Sequence, residues 1–590
     1  MESPLKAWIR ALERTASIER EPLRTFPVVI ESLAGLRGGA VALSSAGGAL
    51  TYAELSASAD RFARWGISCG LARGDVVCLL MPNRPEYLAI WIGLTRIGVT
   101  VALLNTNLRG SALAHCIAIA APRIIITDAN LEDALDSAGS PLHTKIETWT
   151  YGRGSHNRPR LDEAQLEFRA EPLAPDERPY PTLRDPALYI YTSGTTGLPK
   201  AASVSHARIM HWTHWFAGML GVTPDDRMYN CLPLYHSVGG VVAAGATLVG
   251  GGAVVLRERF SAREFWSDVV VEKCTLFQYI GELCRYLLAS PVQPSESQHT
   301  LRLCCGNGLR AEVWQPFQER FGIPKILEYY AATEGNFSLY NCEGKIGSIG
   351  KIPSFLVHRL PVALVKFDAS SEVPARDETG HCVRCAPGEI GEALGQISDR
   401  EGHSLSRFEG YADKAATDRK ILRDVFETGD CWYRTGDLMS RDDEGFYYFS
   451  DRIGDTYRWK GENVSTTEVT AAVLACDGVL DAAVYGVEVP GSDGRAGMVA
   501  LATENGFDLQ LLKMHLEKRL PEYARPAFVR LVPRIDLTGT MKLNKQLLAR
   551  QGFDLNQCND PLYYAERESN LFLPVTPDVF AQLQAGTKRL

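Results

Sequence analysis

An excess of basic charge is the first thing missing from this 590-residue sequence: 62 Lys and Arg face 70 Asp and Glu, for a formal net charge of −8. Counterion-release binding needs a broad basic face, so no nucleic-acid partner is expected. Small anionic ligands need only local positive charge and remain open. A regular cysteine framework is also missing. Fourteen cysteines are scattered from Cys69 to Cys558, and the N-terminus shows no signal-peptide apolar core, so a reduced, cytoplasmic setting is expected. Cys382 and Cys385 form a CxxC beside His381, but no second pair follows at zinc spacing, and the segment reads as a turn with two free thiols. No apolar run is clearly long enough to span a bilayer. The 18 uncharged residues from Gly239 to Leu256 contain six glycines and run straight into Arg257, Glu258 and Arg259, which reads as a soluble helix followed by a buried strand. The amphipathic stretch around Trp8, Ile9, Leu12 and Ile18 carries Glu13, Glu19 and Glu21, which argues for a packed or surface helix over a mitochondrial presequence. With 45% hydrophobic and 22% charged residues, disorder, collagen and a coiled coil are excluded. The length allows about three to five units of roughly 100–200 residues.

What is present early in the chain is an α/β alternation. Thr51 and Glu54 form a capping box opening a helix towards Trp65. Val76 to Leu80 reads as a strand, Asn83 to Ile97 as a helix with Pro85 in its first turn, and Val99 to Leu104 and Arg123 to Thr127 as further strands. This order implies parallel pairing. A Pro- and Arg-rich excursion between Tyr151 and Pro186 precedes another strand, Ala187 to Tyr191.

That strand leads into Tyr191-Thr192-Ser193-Gly194-Thr195-Thr196-Gly197-Leu198-Pro199-Lys200. Four hydroxyls, two glycines and a lysine in one turn are phosphate-binding chemistry: glycine lets the backbone approach an anion, hydroxyls donate hydrogen bonds and lysine adds charge. Two residues separate the glycines and Ala201 follows the lysine, so the spacing excludes a Walker A loop.

The loop resembles the phosphate-binding signature of the adenylate-forming superfamily, which includes acyl-CoA synthetases, luciferases and peptide-synthetase adenylation domains. Tyr329-Tyr330-Ala331-Ala332-Thr333-Glu334-Gly335, Tyr433-Arg434-Thr435-Gly436-Asp437 and the hinge motif beginning Asp451-Arg452 are similar to later family motifs, in the family's order. The wording of Asp451 to Val469, of Tyr279 to Leu287 and of Gly306-Asn307-Gly308-Leu309-Arg310 resembles the fatty acid transport protein and very-long-chain acyl-CoA synthetase branch. The resemblance implies an α/β fold: a large N-terminal body, residues 1–451, with parallel sheets, and a small mobile α+β domain, residues 452–590. It implies a ligase for long-chain or very-long-chain fatty acids, using ATP, Mg2+ and coenzyme A through an acyl-adenylate.

The resemblance also assigns roles. Thr192, Ser193, Gly194, Thr195, Thr196, Gly197 and Lys200 would cradle the β- and γ-phosphates, and Thr333 would bond the α-phosphate. Glu334 would be the magnesium ligand, Asp437 and Arg452 the ribose contacts, and Gly306, Asn307, Gly308 and Leu309 the adenine slot, with Tyr330 stacking on the ring. His236 would orient the acyl carboxylate or swing to admit the thiol. Lys542, in Thr538 to Lys542, would contact carboxylate and α-phosphate during adenylation, with Lys545 as its competitor. Residues 501–550 carry nine basic against five acidic side chains, so positive charge gathers around these lysines. Gly454 would be the pivot of the small domain, and Lys460 and Gly461, in the Trp459 to Asn463 loop, would line the pantetheine tunnel. Lys542, Thr192, His236 and Glu334 form the expected catalytic set.

Alternatives remain within this reading. Uptake of fatty acid by trapping it as its CoA ester, a ligase for sterol- or bile-type carboxylates, and transfer to a carrier protein each use the same first half-reaction; no carrier-type segment is expected after residue 550. Peripheral contact with the inner face of a membrane is expected through the N-terminal stretch. Trp212, Trp215 and Phe216 are expected in the acyl tunnel, whose depth, like the oligomeric state, the sequence does not set.

Overall fold

The computed structural model describes residues 3–139, 146–154, 158–177, 180–192, 199–368, 373–398, 407–459, 462–490, 492, 494–536, 545–566, 569 and 571–588. They fall into two compact units. The first comprises Met1–Pro361, Gly395–Leu422 and Cys431–Tyr433, and the second Val362–Leu394, Arg423–Asp430 and Arg434–Leu590.

The first unit holds two largely parallel sheets. One has the strand order Glu147–Tyr151, Ile124–Asp128, Val76–Leu80, Thr100–Leu103, Pro186–Thr192, Lys200–Ser205, and only its last pair is antiparallel. Its inner strands are buried over nearly every residue, as expected for sheets covered on both faces. The expected strands appear here within a residue or two of their assigned limits. The helix Tyr52–Ser68 opens with the expected capping box: Glu54 N donates to Thr51 Oγ1 at 3.2 Å while Thr51 N donates to Glu54 Oε2 at 2.8 Å. Pro85 starts the helix Pro85–Arg96, where its missing N–H costs nothing.

The other sheet has eight strands, in the order Ser338–Asn341, Ile326–Ala331, Leu303–Asn307, Leu276–Ile280, Arg227–Asn230, Ala253–Leu256, Val41–Ser45, Gly48–Thr51, antiparallel only at its two edges. The uncharged run becomes a π-helix over Ser237–Gly245, a helical turn Ala246–Val249 and the buried strand Ala253–Leu256. Among the described residues no helix is long and apolar enough to cross a membrane.

The N-terminal stretch forms the helix Pro4–Thr15, and its apolar face is consumed by packing. Trp8 lies edge-on to Trp215 at 5.9 Å and to Tyr340 at 5.6 Å, and the Ala11 backbone comes within 2.5 Å of where a Cβ on Gly218 would stand. Leu5 and Ile9 stay exposed.

In the second unit, Asp437 to Arg441 of the long strand Cys431–Arg441 pair antiparallel with Tyr447–Arg452. A separate five-stranded sheet runs in the order Val479–Glu488, Arg495–Thr503, Phe528–Leu531, Leu562–Glu566, Leu571–Pro574, with the helices Thr466–Leu474 and Leu509–Arg519 beside it. Cys382 and Cys385 are free thiols.

Candidate active site

Thr192 ends its strand directly opposite Lys200, the first residue of the antiparallel partner. Ser193, Gly194, Thr195, Thr196 and Gly197 lie outside the described residues, so the structure anchors the two ends of the expected phosphate cradle. The Lys200 ammonium sits 5.6 Å from the centroid of the Tyr411 ring, within cation–π range. The Tyr411 hydroxyl donates to Glu334 Oε1 at 2.6 Å, a short charge-assisted bond. Burial first, and then the Glu334 charge, push the Tyr411 phenol above its ordinary range, so it remains a donor throughout the physiological pH range. Tyr411 thereby gathers three residues that the sequence motifs single out: Lys200, Glu334 and, through its hydroxyl, Thr192.

The same segment is braced from the helix His206–Leu220. Ser205 caps this helix by accepting from Arg208 N at 3.2 Å. Glu409 accepts from Ser205 N at 2.8 Å and from Ser205 Oγ at 2.6 Å, and buried Arg208 donates to the carbonyls of Thr333 at 3.0 Å and Arg407 at 2.8 Å. Thr333 Oγ1 shares a hydrogen bond with Ser237 Oγ at 3.1 Å. His236 precedes the π-helix that Ser237 begins, with its ring 5.4 Å from that of Tyr235. Between these elements lies a cleft of about 370 Å3, whose walls include Trp212, Phe216, Val238 and Val242 and whose polar members include Ser237 and Thr333. An adjoining cleft of about 580 Å3 shares Trp212 and adds Trp215, Tyr340 and Leu360. Of the residues expected around the acyl chain, Trp212 and Phe216 line the cleft that contains Thr333, and Trp215 lines the adjoining one beside Arg208 and His211.

The Gly306 to Leu309 loop leaves the C-terminal end of Leu303–Asn307, where open parallel sheets place their ligands. The missing side chain of Gly306 serves packing: a Cβ there would stand 2.3 Å from the Tyr279 carbonyl oxygen and 2.4 Å from its ring. Gly308 takes a left-handed φ of +79°, and its carbonyl oxygen lies only 1.8 Å from where a Cβ on Gly281 would be. Beneath the loop, the fully buried Glu328 accepts from Leu309 N at 3.1 Å and from the Tyr279 hydroxyl at 2.5 Å. Burial raises the Glu328 carboxyl to about 8, against the opposing pull of the Tyr279, Leu309 and Gly308 donors. Tyr330 is half-buried at the end of Ile326–Ala331, its ring 5.8 Å from Phe337.

In the second unit, Asp437 and Arg452 are register partners on adjacent strands, with Arg452 Nε 3.2 Å from Asp437 Oδ1. Gly454 has φ +91° with open space where a Cβ would stand. Asp451 is buried, and its carboxylate accepts from Thr466 N at 2.6 Å. Lys545 donates to Thr466 Oγ1 at 2.9 Å and lies 3.9 Å from Asp455. Its ammonium is thus engaged with the hinge segment. Lys542, Lys460 and Gly461 lie outside the described residues.

A model of the AMP-binding enzyme family matches residues 31–391, and a model of the AMP-binding enzyme C-terminal domain matches residues 468–542. The chain belongs to the AMP-binding enzyme family. This AMP-binding enzyme is 41% identical over 570 residues to long-chain fatty acid transport protein 1 of Mus musculus, covering 95% of its own length and 88% of the relative. It is 38% identical over 553 residues to long-chain fatty acid transport protein 6 of Mus musculus, covering 92% and 88%. Its fold is similar to that of an anthranilate CoA ligase solved with anthranoyl-AMP, at TM-score 0.75 and 21% identity over 88% of this chain and 95% of the other. It is also similar to that of a fatty acyl CoA synthetase from Mycobacterium tuberculosis, at TM-score 0.64 and 22% identity over 89% and 98%. The architecture is the adenylate-forming fold, mixed α/β sheets in a large N-terminal body with a smaller C-terminal domain.

For this AMP-binding enzyme the sequence motifs found the termini of strands and loops but missed the residues that brace them. Tyr411, Arg208, Glu409, Ser237 and Glu328 all act across long stretches of chain, 77 residues for the Tyr411–Glu334 bond and 125 for Arg208–Thr333. The local signal for Tyr411 is an aromatic following Gly410 in a polar stretch, which does not reveal its partner.

Proposed function

We propose that this chain is an ATP-dependent acid–thiol ligase that converts a long-chain or very-long-chain fatty acid into its CoA thioester through an acyl-adenylate, releasing pyrophosphate and then AMP. The observation that carries this reading is the cleft of about 370 Å3 whose lining joins Trp212, Phe216 and Val242 to Ser237 and Thr333, with Glu334, the residue after Thr333, hydrogen-bonded to the Tyr411 that also holds Lys200. A hydrocarbon chain suits Trp212, Phe216 and Val242, while its carboxylate would meet hydroxyls and phosphate-binding groups at Ser237 and Thr333. The names of the transport-protein relatives support the substrate class.

A carboxylate resists thiol attack because it would have to expel an oxide; transfer onto the α-phosphate of ATP supplies a leaving group. Both half-reactions build charge on oxygen, so placed donors matter more than covalent catalysis. Thr192 through Lys200 would hold the β- and γ-phosphates, Thr333 the α-phosphate, and Asp437 and Arg452 the ribose. The Gly306 to Leu309 loop, held from below by Glu328, would carry the adenine with Tyr330 against it. Glu334 fits a magnesium ion, since one of its oxygens is oriented by Tyr411 and Mg2+ is usually bound by one or two carboxylates plus substrate phosphates. The ion would neutralise phosphate charge. His236 would orient the acyl carboxylate. Lys542 would serve adenylation, and rotation of residues 452–590 about Gly454 would bring Lys460 and Gly461 to coenzyme A. Uptake of fatty acid would follow from trapping it as the thioester, with only peripheral membrane contact at the inner face.

The test is ATP–pyrophosphate exchange across a panel of carboxylic acids, repeated with CoA and mass detection of product. Long-chain acids should support exchange, and CoA should convert them to thioesters. Absence of exchange with every acid would overturn the adenylation reading.

A further inference from the structure

Strands Leu276–Ile280, Leu303–Asn307 and Ile326–Ala331 turn one face towards the helix His206–Leu220 and the π-helix Ser237–Gly245. Leu276, Leu303, Cys305 and Leu327 on that face pack with Phe216, Met219, Val242 and Ala243 in one apolar cluster. Strand alternation and register put three polar side chains on the same face: Gln278, paired with Cys305; Asn307, two residues beyond Cys305; and Tyr329, two residues beyond Leu327. Gln278 is completely buried and Tyr329 is 2% exposed. Both amide atoms of Gln278, Asn307 Oδ1 and the Tyr329 hydroxyl have no hydrogen-bond partner among the described residues. The Gln278 amide approaches the Tyr329 phenol without meeting full hydrogen-bond geometry. Asn307 and Tyr329 line the cleft of about 370 Å3.

Buried polar groups are nearly always paired, and an unmet donor or acceptor is costly. A plain hydrocarbon chain in this cleft would meet none of these groups. A hydroxyl group would meet both kinds, accepting from Tyr329 Oη and donating to Asn307 Oδ1, the two that reach the cleft. An oxo group would only accept. Tyr329 and Thr333 are four residues apart, so their Cα atoms lie no more than about 14 Å from each other and both line the same cleft.

We propose that Tyr329 and the Asn307 side chain, backed by Gln278, form a subsite for a hydroxyl group on the acyl chain, the backbone of the Gly306 to Leu309 loop being left to the adenine, so that the preferred substrates are hydroxylated long-chain acids. The inference rests on the ligase reading above and narrows its substrate class.

The test compares hexadecanoic acid with a series of monohydroxyhexadecanoic acids, and with the matching oxo acids, on the purified full-length chain by ATP–pyrophosphate exchange. At one hydroxyl position kcat/KM should exceed that of the parent acid by about tenfold, mostly through KM, as one satisfied buried hydrogen bond would give. The matching oxo acid should gain less. Tyr329→Phe and Gln278→Met should each move the hydroxy-to-parent ratio towards one, a shift that general destabilisation of the enzyme does not produce because both acids share it. The proposal is overturned if no isomer surpasses the parent, a result the native chain gives whether or not the variants fold. It is also overturned if the preference survives both substitutions. Exchange with the parent acid but no hydroxyl preference refutes this subsite and leaves the ligase reading standing, whereas no exchange with any acid removes both.

Discussion

Replacing Glu328 with glutamine should change how stability depends on pH, and the structure sets the sign. The carboxyl is fully buried under the Gly306 to Leu309 loop and raised from the ordinary 4.5 to about 8, with burial the leading cause. Between those values the folded protein keeps the proton that the unfolded chain has lost, so the folded state binds more protons and stability falls as pH rises. Each pH unit is worth about 1.4 kcal/mol, so the native protein should lose roughly 4 kcal/mol between pH 5 and pH 8 from this group alone and little more above pH 8. Glutamine is neutral at every pH and can still accept from Leu309 N while donating to the Tyr279 oxygen. The Glu328→Gln variant should therefore match or fall slightly below the native protein at pH 5 and exceed it progressively up to pH 8. Thermal unfolding of both proteins in matched buffers from pH 5 to 9 reads this as a difference in Tm, in which titration of all other groups cancels. A difference that stays flat across that range would refute the burial argument. In the same variants the KM for ATP should rise more for Glu328→Ala than for Glu328→Gln, because only alanine leaves Leu309 N without its acceptor.

Tyr411→Phe removes the 2.6 Å bond to Glu334 but keeps the ring under Lys200; a lost charge-assisted bond of about 1.5–3 kcal/mol should weaken Mg–ATP binding by roughly ten- to a hundredfold, measurable by titrating ATP with and without Mg2+. Gly454→Pro forces φ near −65° on a residue at +91°, and should lower thioester formation more than adenylate formation, as followed by CoA-dependent product against pyrophosphate exchange; equal loss of both would refute the pivot assignment. Lys542→Ala should abolish exchange, whereas Lys545→Ala, whose ammonium is engaged with Thr466, should retain far more of it. Trp8→Ala should destabilise the first unit by about 3–5 kcal/mol in thermal or denaturant unfolding, because this buried ring packs on Trp215 and Tyr340.

Several features were readable one residue at a time because their causes are local. The Thr51–Glu54 capping box, Pro85 at a helix start and the apolar strands Val76–Leu80 and Ile124–Asp128 depend on neighbours a few positions away. The uncharged run from Gly239 reads as helix then strand and folds so, but composition does not show that its first part winds as a π-helix. At Gly306 a Cβ would run into the Tyr279 carbonyl and ring, a neighbour the sequence could not name, since a glycine reports that something approaches closely and does not say what. The N-terminal stretch shows the same limit: amphipathicity announced an apolar face, and only the fold reveals that Trp215 and Tyr340 cover its Trp8.

By itself, then, the sequence determined the order of elements, the anion-binding loop and the sequence of motifs that assigns the chain to its enzyme family, because periodicity, turn chemistry and motif spacing are written within a few residues. Tertiary structure alone decided that Tyr411 orients Glu334, that Glu328 props the loop at Leu309, that Lys545 serves the hinge segment, and that Gln278, Asn307 and Tyr329 share one buried face. Those pairings join residues tens of positions apart, and which of them meet is set by strand order and register, to which no local pattern is sensitive.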